Sequence, residues 1–265
     1  MIQGVSPNGI AAAWQTAVNV SLYQAAAAMN ANARWQESIS DNLASASLPG
    51  YKKQDVSFEA VQAGLMSQAA PNAQTQFLLP RFTSTTNFTQ GILRATGVPT
   101  DAAIDGKGFF EVQMPSGATA YTRDGEFHLS ANGQLVTKQG YPVIGDTGPI
   151  QLDTNLGGQI TIAPTGEISQ GNEVRGKLKV VDFAQPSDLT QISGGFFTNQ
   201  NPAVTPTEVP ATSIRAGFLE GSNVSTMTEM ANLISVMRSF ETNQRTMQIH
   251  NERLGRTISE LGNPS

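Results

Sequence analysis

The sequence has no cysteine and only two histidines, and 14% of its 265 residues are charged. Without cysteine the chain forms no disulfide, carries no thiol nucleophile and offers no thiolate ligand to a metal. A net charge of −5 leaves no basic surface that would release counterions from nucleic acid, so we expect no nucleic-acid partner. No apolar run approaches the length of about 18–20 residues that a membrane helix needs, so we expect no direct membrane insertion. No Lys or Arg precedes Arg34, which argues against a cleavable signal peptide.

Motifs for catalysis are also scarce. His128 and His250 stand in no zinc-binding spacing, and no phosphate loop or nucleophile elbow occurs. Three carboxylates, Asp105, Glu111 and Asp124, could do acid–base work in a secreted enzyme such as a glycan hydrolase, which is one alternative. Asp124-Gly125 is more simply explained as a turn. We therefore predict no catalytic, cofactor-binding or metal site, and a role other than that of an enzyme.

The two ends of the chain share a helical pattern. Residues 14–47 and 224–261 are poor in glycine and carry apolar residues at heptad spacing. The C-terminal seams are Leu233, Phe240, Met247, Leu254 and Leu261, with Met230, Met237, Gln244, Asn251 and Ile258 three residues earlier. The N-terminal seams are Leu22, Met29, Gln36 and Leu43, with Val18, Ala25, Asn32, Ile39 and Ala46. Amphipathic helices on a globular core are the alternative, but two matched helices at opposite termini favour mutual pairing in a coiled-coil-like domain.

The middle of the chain is typical of short antiparallel strands. Alternating apolar residues flank the turn signals Ala131-Asn132-Gly133 and Pro164-Thr165-Gly166, which predicts two hairpins. The fold class is therefore α+β, with two long terminal helices and a central all-β, sandwich- or barrel-like domain. Four segments are expected: an N-terminal core helix (1–53), a linker and extended arm (54–100), the β-domain (101–212) and a C-terminal core helix (213–265).

Three separated strings resemble one protein family. Ser38 to Ala44, followed by Pro49-Gly50-Tyr51-Lys52, is similar to the N-terminal signature of flagellar rod and hook proteins. The strings AIDGKGFFEVQ, YTRDGEF and LSANGQLVTKQGYPV between Asp101 and Val143 resemble the same family, as does GFLEGSNV at 217–224. Within the family, Thr89-Gln90-Gly91 and Asp101–Phe110 look most like distal-rod members. The short segment 62–80 leaves a proximal-rod or hook-like paralogue open.

The resemblance implies a structural subunit of the bacterial flagellar basal-body rod. Such subunits assemble helically into a periplasmic drive shaft that transmits torque and encloses the export channel. Their partners would be further copies, other rod and hook proteins, the surrounding ring proteins and the flagellar type III export apparatus, which needs no cleaved signal. A scaffold that does not polymerise is a further alternative. The residues expected at the assembly interface are Leu22, Met29, Ile39, Leu43, Met237, Phe240, Met247 and Leu254.

Overall fold

A computed structural model describes residues 7–67, 74–153, 158–201, 204–209 and 213–261. Within these ranges the side chains at 7–23, 60–67, 74–80, 257, 258, 260 and 261 lie outside the description. The chain divides into two compact units, each made of separate segments. The first unit comprises Met1–Asp41, Asp55–Ser84 and Met227–Ser265, and the second comprises Asn42–Gln54 and Thr85–Thr226.

Two long helices dominate the first unit. Helix α1 runs over Pro7–Ala44 and helix α2 over Thr226–Leu261, which confirms the predicted helices at both ends of the chain. Pro7 stands at the start of α1, where its missing N–H costs no hydrogen bond. Pro49-Gly50 follows the end of α1, and Gly50 has a positive φ of 68°. That conformation favours glycine and cannot continue a helix.

Two strands are long, and both lie in the segment that was expected to be a linker. The other strands are short, and they pair in antiparallel fashion. Strands β1 (Gln54–Ser67) and β2 (Gln74–Thr86) form a two-stranded sheet. The next strands are β3 (Leu93–Ala95), β4 (Ala102–Asp105), β5 (Phe109–Gln113), β6 (Thr119–Thr122), β7 (Phe127–Leu129), β8 (Leu135–Thr137), β9 (Ile144–Gly145) and β10 (Gly148–Pro149). They are followed by β11 (Ile160–Ile162), β12 (Glu167–Gln170), β13 (Glu173–Lys177), β14 (Val180–Asp182), β15 (Leu189–Ile192), β16 (Phe196–Asn199), β17 (Thr207–Glu208), β18 (Ser213–Ala216) and β19 (Phe218–Glu220).

A six-stranded sheet forms the centre of the second unit. Its strand order is β15-β16-β6-β5-β14-β17, and every neighbouring pair is antiparallel. Successive residues of a strand point to opposite faces, and this sheet is buried on both. Phe110 and Phe196 join an aliphatic core on one face, whereas Phe109 and Phe197 join an aromatic cluster on the other. This explains the adjacent apolar pairs in three of its strands, Phe109-Phe110, Val180-Val181 and Phe196-Phe197, because the two members of each pair enter different clusters.

Both predicted hairpins are present. Strands β7 and β8 pair around Ala131-Asn132-Gly133, and β11 and β12 pair around Pro164-Thr165-Gly166. Gly133 has a positive φ, and a Cβ there would lie 2.2 Å from the carbonyl oxygen of Leu152, so only glycine fits this turn.

The fold is α+β, as the sequence predicts, but the barrel-like alternative is wrong. Strands β15 and β17 are the two ends of the six-stranded sheet, so the described strands do not close into a barrel. A barrel would require the first and last strands to pair. The other described strands of the second unit form a three-stranded sheet, β11-β12-β13, and two-stranded sheets.

Candidate functional site

Helix α2 has one shielded stripe at heptad spacing. Buried and half-buried positions recur along it at intervals of four and three residues, at Glu229, Leu233, Val236, Phe240, Asn243, Met247 and His250, and Asn232 is also half-buried. A 3.5-residue repeat is the pattern by which one helix packs along another element. The predicted seam of Leu233, Phe240 and Met247 lies on this stripe. The second row of shielded residues lies four residues before each residue of this seam, not three as predicted. Val236 is therefore buried, whereas the predicted Met237 is 48% exposed.

Helix α1 shows the same arrangement. Shielded positions spaced by three and four residues run along it at Ala25, Ala28, Asn32, Trp35, Ile39 and Asn42, and the neighbouring Ala31 is also buried. Trp35 packs edge-on against Phe58 of β1, with ring centroids 5.4 Å apart. The predicted seam through Ala25, Asn32 and Ile39 is thus shielded. The second row of shielded residues lies one residue before the other predicted seam, as it does on α2. Asparagines interrupt both helix stripes, so each stripe mixes apolar with polar side chains.

The predicted assembly residues fall into three groups. Ile39 is buried, and Met29, Leu43, Phe240 and Met247 are half-buried. Met237 and Leu254 are exposed. Leu22 belongs to α1, but its side chain lies outside the described residues.

A second apolar stripe on α2 is open to solvent. It consists of Met227, Met230, Ile234 and Met237, of which Met227 is 83% exposed. Ile234 also lines an open groove of about 690 Å³ whose walls come from both helices and Phe58. The residues that line the groove include small ones, among them Ala28, Ala31, Ala231, Ser235 and Ser239. Unpaired apolar stripes of this kind mark surfaces that contact another protein. Neither described helix is long and apolar enough to cross a membrane.

The second unit contains a buried cluster of charges that joins distant parts of the chain. Glu220 Oε1 accepts hydrogen bonds from Lys52 Nζ at 2.5 Å and from the main-chain N–H of Gly91 at 2.8 Å. Its other oxygen, Oε2, accepts from Arg123 Nη1 at 3.2 Å. Lys52 Nζ also donates to the carbonyl of Thr89 at 2.8 Å. The Glu220 side chain is fully buried, so one carboxylate serves two cations out of contact with water.

Burial sets the electrostatics of this cluster. It lowers the pKa of the Lys52 ammonium, and the facing carboxylate of Glu220 opposes that lowering. Burial likewise lowers the pKa of Arg123, whose guanidinium also lies 5.2 Å from the centre of the Phe109 ring. Removing one partner of a buried pair costs about 3–5 kcal/mol, because a buried charge is left without compensation. The cluster therefore makes the positions of three chain segments depend on one another.

Two asparagine side chains hold the main chain next to Lys52. Asn42 Nδ2 donates to the carbonyl of Gln54, and Asn42 Oδ1 accepts from the N–H of Gln54, both at 2.9 Å. Asn223 Oδ1 accepts from the N–H of Lys53 at 2.7 Å, while its Nδ2 donates to the carbonyl of Asn87 at 2.8 Å. Each amide thus takes the place of a neighbouring strand and satisfies main-chain groups that would otherwise need a partner.

The close approach of main chains at this cluster requires glycine. The N–H of Gly50 donates to the carbonyl of Glu220 at 2.7 Å. A Cβ at Gly50 would lie 2.3 Å from the main chain of Arg123 and Asp124. A Cβ at Gly91 would lie 1.9 Å from the carbonyl oxygen of Gly221. Any larger residue at either position would push these segments apart.

Asp124, next to the cluster, has an unusual environment. Burial raises the pKa of its carboxyl to about 6, and the nearby charges of Glu126 and Asp101 act in the same direction. The hydrogen bond that its Oδ1 accepts from the N–H of Glu126, at 3.0 Å, and the charge of Lys138 oppose the shift. The carboxyl closes the predicted turn at Asp124-Gly125, so the side chain has a structural role.

The other carboxylates considered for catalysis have separate partners. Asp105 pairs with Arg215 at the surface, with Oδ2 2.7 Å from Nη2, and Glu111 pairs with Lys179 at 3.0 Å. The exposed His128 lies 3.7 Å from Glu126. Within the described ranges, no group of three or more His, Asp or Glu side chains is arranged to hold a metal ion.

Sequence reasoning did not identify the charge cluster. Its members lie up to 168 residues apart, and no local spacing links them. The one available signal was that Lys52 and Glu220 both fall inside strings that resemble a known family.

Comparisons with known proteins agree with those strings. The family described as "Flagellar hook protein FlgE/F/G D1 domain" matches residues 103–170, and "Flagellar basal body rod FlgEFG protein C-terminal" matches residues 215–260. The flagellar basal-body rod protein FlgG of Buchnera aphidicola subsp. Schizaphis graminum is 34% identical over 84% of this chain and 92% of its own length. FlgG of Borreliella burgdorferi is 31% identical over 89% and 96%. The rod protein FlgF of Salmonella typhimurium is 33% identical over 89% and 96%.

Proposed function

The chain belongs to the FlgE/F/G family of flagellar basal-body rod proteins, and we propose that it assembles helically with further copies of itself into the rod. The observation that carries the proposal is a match to rod proteins over 84% of the chain and 92% of a relative. As a member of this family the protein is a structural component of the flagellar basal body, and it is not an enzyme.

The helices supply the surfaces that assembly needs. A rod grows through head-to-tail contacts that do not close, so each copy must present two different complementary surfaces. Met227, Met230 and Met237 of the open stripe form one such surface, and the groove lined by Trp35 and Ile234 is a second. We propose that neighbouring copies cover both, and that α1 and α2 pair as a coiled coil along their shielded stripes. The terminal segments 1–53 and 213–265, which include the two helices, then carry the contacts between copies.

The remaining partners follow from the place of the rod in the basal body. We propose that other rod and hook proteins lie above and below this subunit, and that the predicted β-domain (101–212) contacts the surrounding ring proteins. The flagellar type III apparatus would export the chain to the periplasm without a cleaved signal. The assembled shaft would transmit torque and enclose the export channel.

A charged substitution at Phe240 tests the assembly. Phe240 is half-buried on the shielded stripe of α2, so Phe240→Glu places a carboxylate where helices pack, and we expect the variant to abolish rod assembly and motility. The second unit contains no part of α2 beyond its first residue, so its sheets should stay folded, which near-ultraviolet circular dichroism of its tyrosines would report.

The matched control is Thr246→Glu, which adds the same charge at an exposed position of the same helix, away from both stripes and outside the groove. Motility should survive in the control. Wild-type motility in a strain whose only copy carries Phe240→Glu would overturn the assembly proposal.

Within the rod, we propose the distal part as the position of this subunit. The strings Thr89-Gln90-Gly91 and Asp101–Phe110 support it, together with the FlgG relatives. A proximal position is the second candidate, because FlgF relatives match at 33% identity over 96% of their length. Complementation separates the two: the gene should restore swimming to a strain that lacks FlgG, and rescue only of a strain that lacks FlgF would move the subunit to the proximal rod.

A further inference from the structure

The open stripe of α2 brings three methionines to the surface. The chain has no cysteine, so its sulfur atoms are those of eight methionines. Met227, Met230 and Met237 follow one another at intervals of three and seven residues, which places them on one side of the helix. They are 83%, 60% and 48% exposed. Three thioethers therefore lie together in contact with solvent.

The other methionines whose side chains are described are less accessible. Met29, Met114 and Met247 are half-buried, and Met114 packs against the aliphatic core of the second unit. An oxidant in solution must touch a thioether to react with it, so exposure decides which methionine reacts first. Thiolates would consume an oxidant before thioethers do, but the chain has none. Among these six methionines, the three on the stripe are therefore the first targets.

We propose that Met227, Met230 and Met237 form a reversible oxidation site, at which a peroxide converts the thioethers to sulfoxides and thereby stops self-assembly of the free subunit. The sulfur attacks one peroxide oxygen, so that an S–O bond forms and the O–O bond breaks. The sulfur loses two electrons, and the other oxygen leaves as water with both protons. Methionine sulfoxide reductases regenerate the thioether with electrons from a thiol, so the change can be undone.

The effect on assembly follows from the polarity of the sulfoxide. This inference rests on the proposed assembly, in which a neighbouring copy covers the stripe. A thioether is apolar and adapts its shape to a partner surface, whereas the sulfoxide oxygen is a polar hydrogen-bond acceptor. Burying that oxygen without a donor lowers an association constant by about tenfold or more. In the assembled rod the neighbouring copy would shield the sulfur atoms, so the site acts on copies that are not yet incorporated.

Hydrogen peroxide added to the full-length, dissociated subunit tests the site, with mass spectrometry as the first measurement. We expect each of the three stripe methionines to gain one oxygen at least threefold faster than the three half-buried ones, and equal rates in the two groups would overturn the proposal. A peroxide dose that modifies only the stripe is then used for sedimentation equilibrium at rising protein concentration. The association constant should fall at least tenfold, and methionine sulfoxide reductases A and B, which act on the two sulfoxide epimers, should restore it.

Two variants identify the responsible sulfur atoms, each compared with its own untreated sample. Met227→Leu/Met230→Leu/Met237→Leu has no thioether on the stripe, so peroxide should leave its association constant unchanged. The matched control Met114→Leu keeps all three stripe thioethers and should lose association as the wild type does. A tenfold loss in the triple variant would refute the proposal, as would a loss of helical circular dichroism in the oxidised wild type. If the triple variant does not associate, the reaction rates and the reductase treatment of the wild type decide.

Failure of this inference differs from failure of the assembly proposal. A wild-type subunit that associates equally well before and after oxidation of the stripe refutes the oxidation site and leaves the assembly proposal standing. An untreated wild-type subunit that stays monomeric at every concentration refutes both, because there is then no self-association for the sulfoxides to stop.

Discussion

Replacing Asp124 by asparagine should change how the stability of the second unit depends on pH. The folded-state pKa of Asp124 is raised from 3.8 to about 6, so the native state holds a proton that the unfolded state releases. Such a group adds stability that is fully present below about pH 4 and is lost as the pH rises through 6. A shift of about 2 units corresponds to about 3 kcal/mol, at about 1.4 kcal/mol per unit.

The asparagine variant is neutral at every pH and retains an oxygen that can accept the N–H of Glu126. Any local cost of the new amide is the same at both pH values, so it cancels when the two are compared. The free energy of unfolding of Asp124→Asn, relative to wild type, should therefore rise by about 2.5 kcal/mol between pH 4 and pH 7.5, since about 0.5 kcal/mol of the full effect is already lost at pH 4.

Urea unfolding at pH 4, 5, 6 and 7.5 measures this difference. Both tryptophans lie in α1, so their fluorescence reports on the first unit. The near-ultraviolet circular dichroism of Tyr121 and Tyr141 reports on the second, because Tyr121 is buried and Tyr141 packs against Phe196 with centroids 5.2 Å apart. A relative change below about 1 kcal/mol across this range would refute the reasoning that burial holds the Asp124 proton.

Three further substitutions test other parts of the second unit by the same unfolding measurement. Glu220→Gln should lower the free energy of unfolding by about 3–5 kcal/mol, because it leaves the buried charges of Lys52 and Arg123 without their anion. Lys52→Met should lower it by only about 1–2 kcal/mol, because Arg123 and Glu220 still pair, and the reverse order of the two costs would contradict this reasoning. Gly50→Ala should cost about 2 kcal/mol or more, since φ is positive and the new Cβ meets the Arg123 main chain, and an unchanged urea midpoint would rule this out. Phe197→Ala should cost about 3–5 kcal/mol because its ring fills the aromatic cluster with Phe109, whereas Leu129→Ala, at an exposed position, should cost less than about 1 kcal/mol.

Short sequence patterns correctly predicted the hairpin turns and the two helices, which depend on residues close together in the chain. The turn at Asn132-Gly133 demands a positive φ, and the strands on either side pair as expected. Heptad spacing located both helices, but it placed one seam of each helix a residue away from the shielded stripe. Apolar identity selected Met237, whereas the structure shields Val236 and places the polar residues Glu229 and Asn243 on the same face. A helix stripe can bury polar side chains, and hydropathy alone cannot reveal that.

The charge cluster illustrates what sequence patterns cannot provide. A buried lysine is rare because its charge must be compensated, so Lys52 reads as a surface residue until Glu220 is found beside it. Pairing over 168 residues has no periodicity to detect. Strands β1 and β2 were missed for a related reason: the segment 54–100 has little alternation, and its strands pair with each other rather than within the central sheet.

The amide groups of Asn42 and Asn223 have a consequence for how this protein tolerates sequence change. They bind the main chain of residues 53 and 54, and every amino acid except proline offers the same N–H and carbonyl groups. These contacts therefore do not discriminate among side chains at positions 53 and 54, but they forbid proline at both. The asparagines themselves have no such freedom, because aspartate lacks the N–H donor and leucine lacks both donor and acceptor. We therefore expect these contacts to allow substitutions at positions 53 and 54, but to require asparagine at positions 42 and 223.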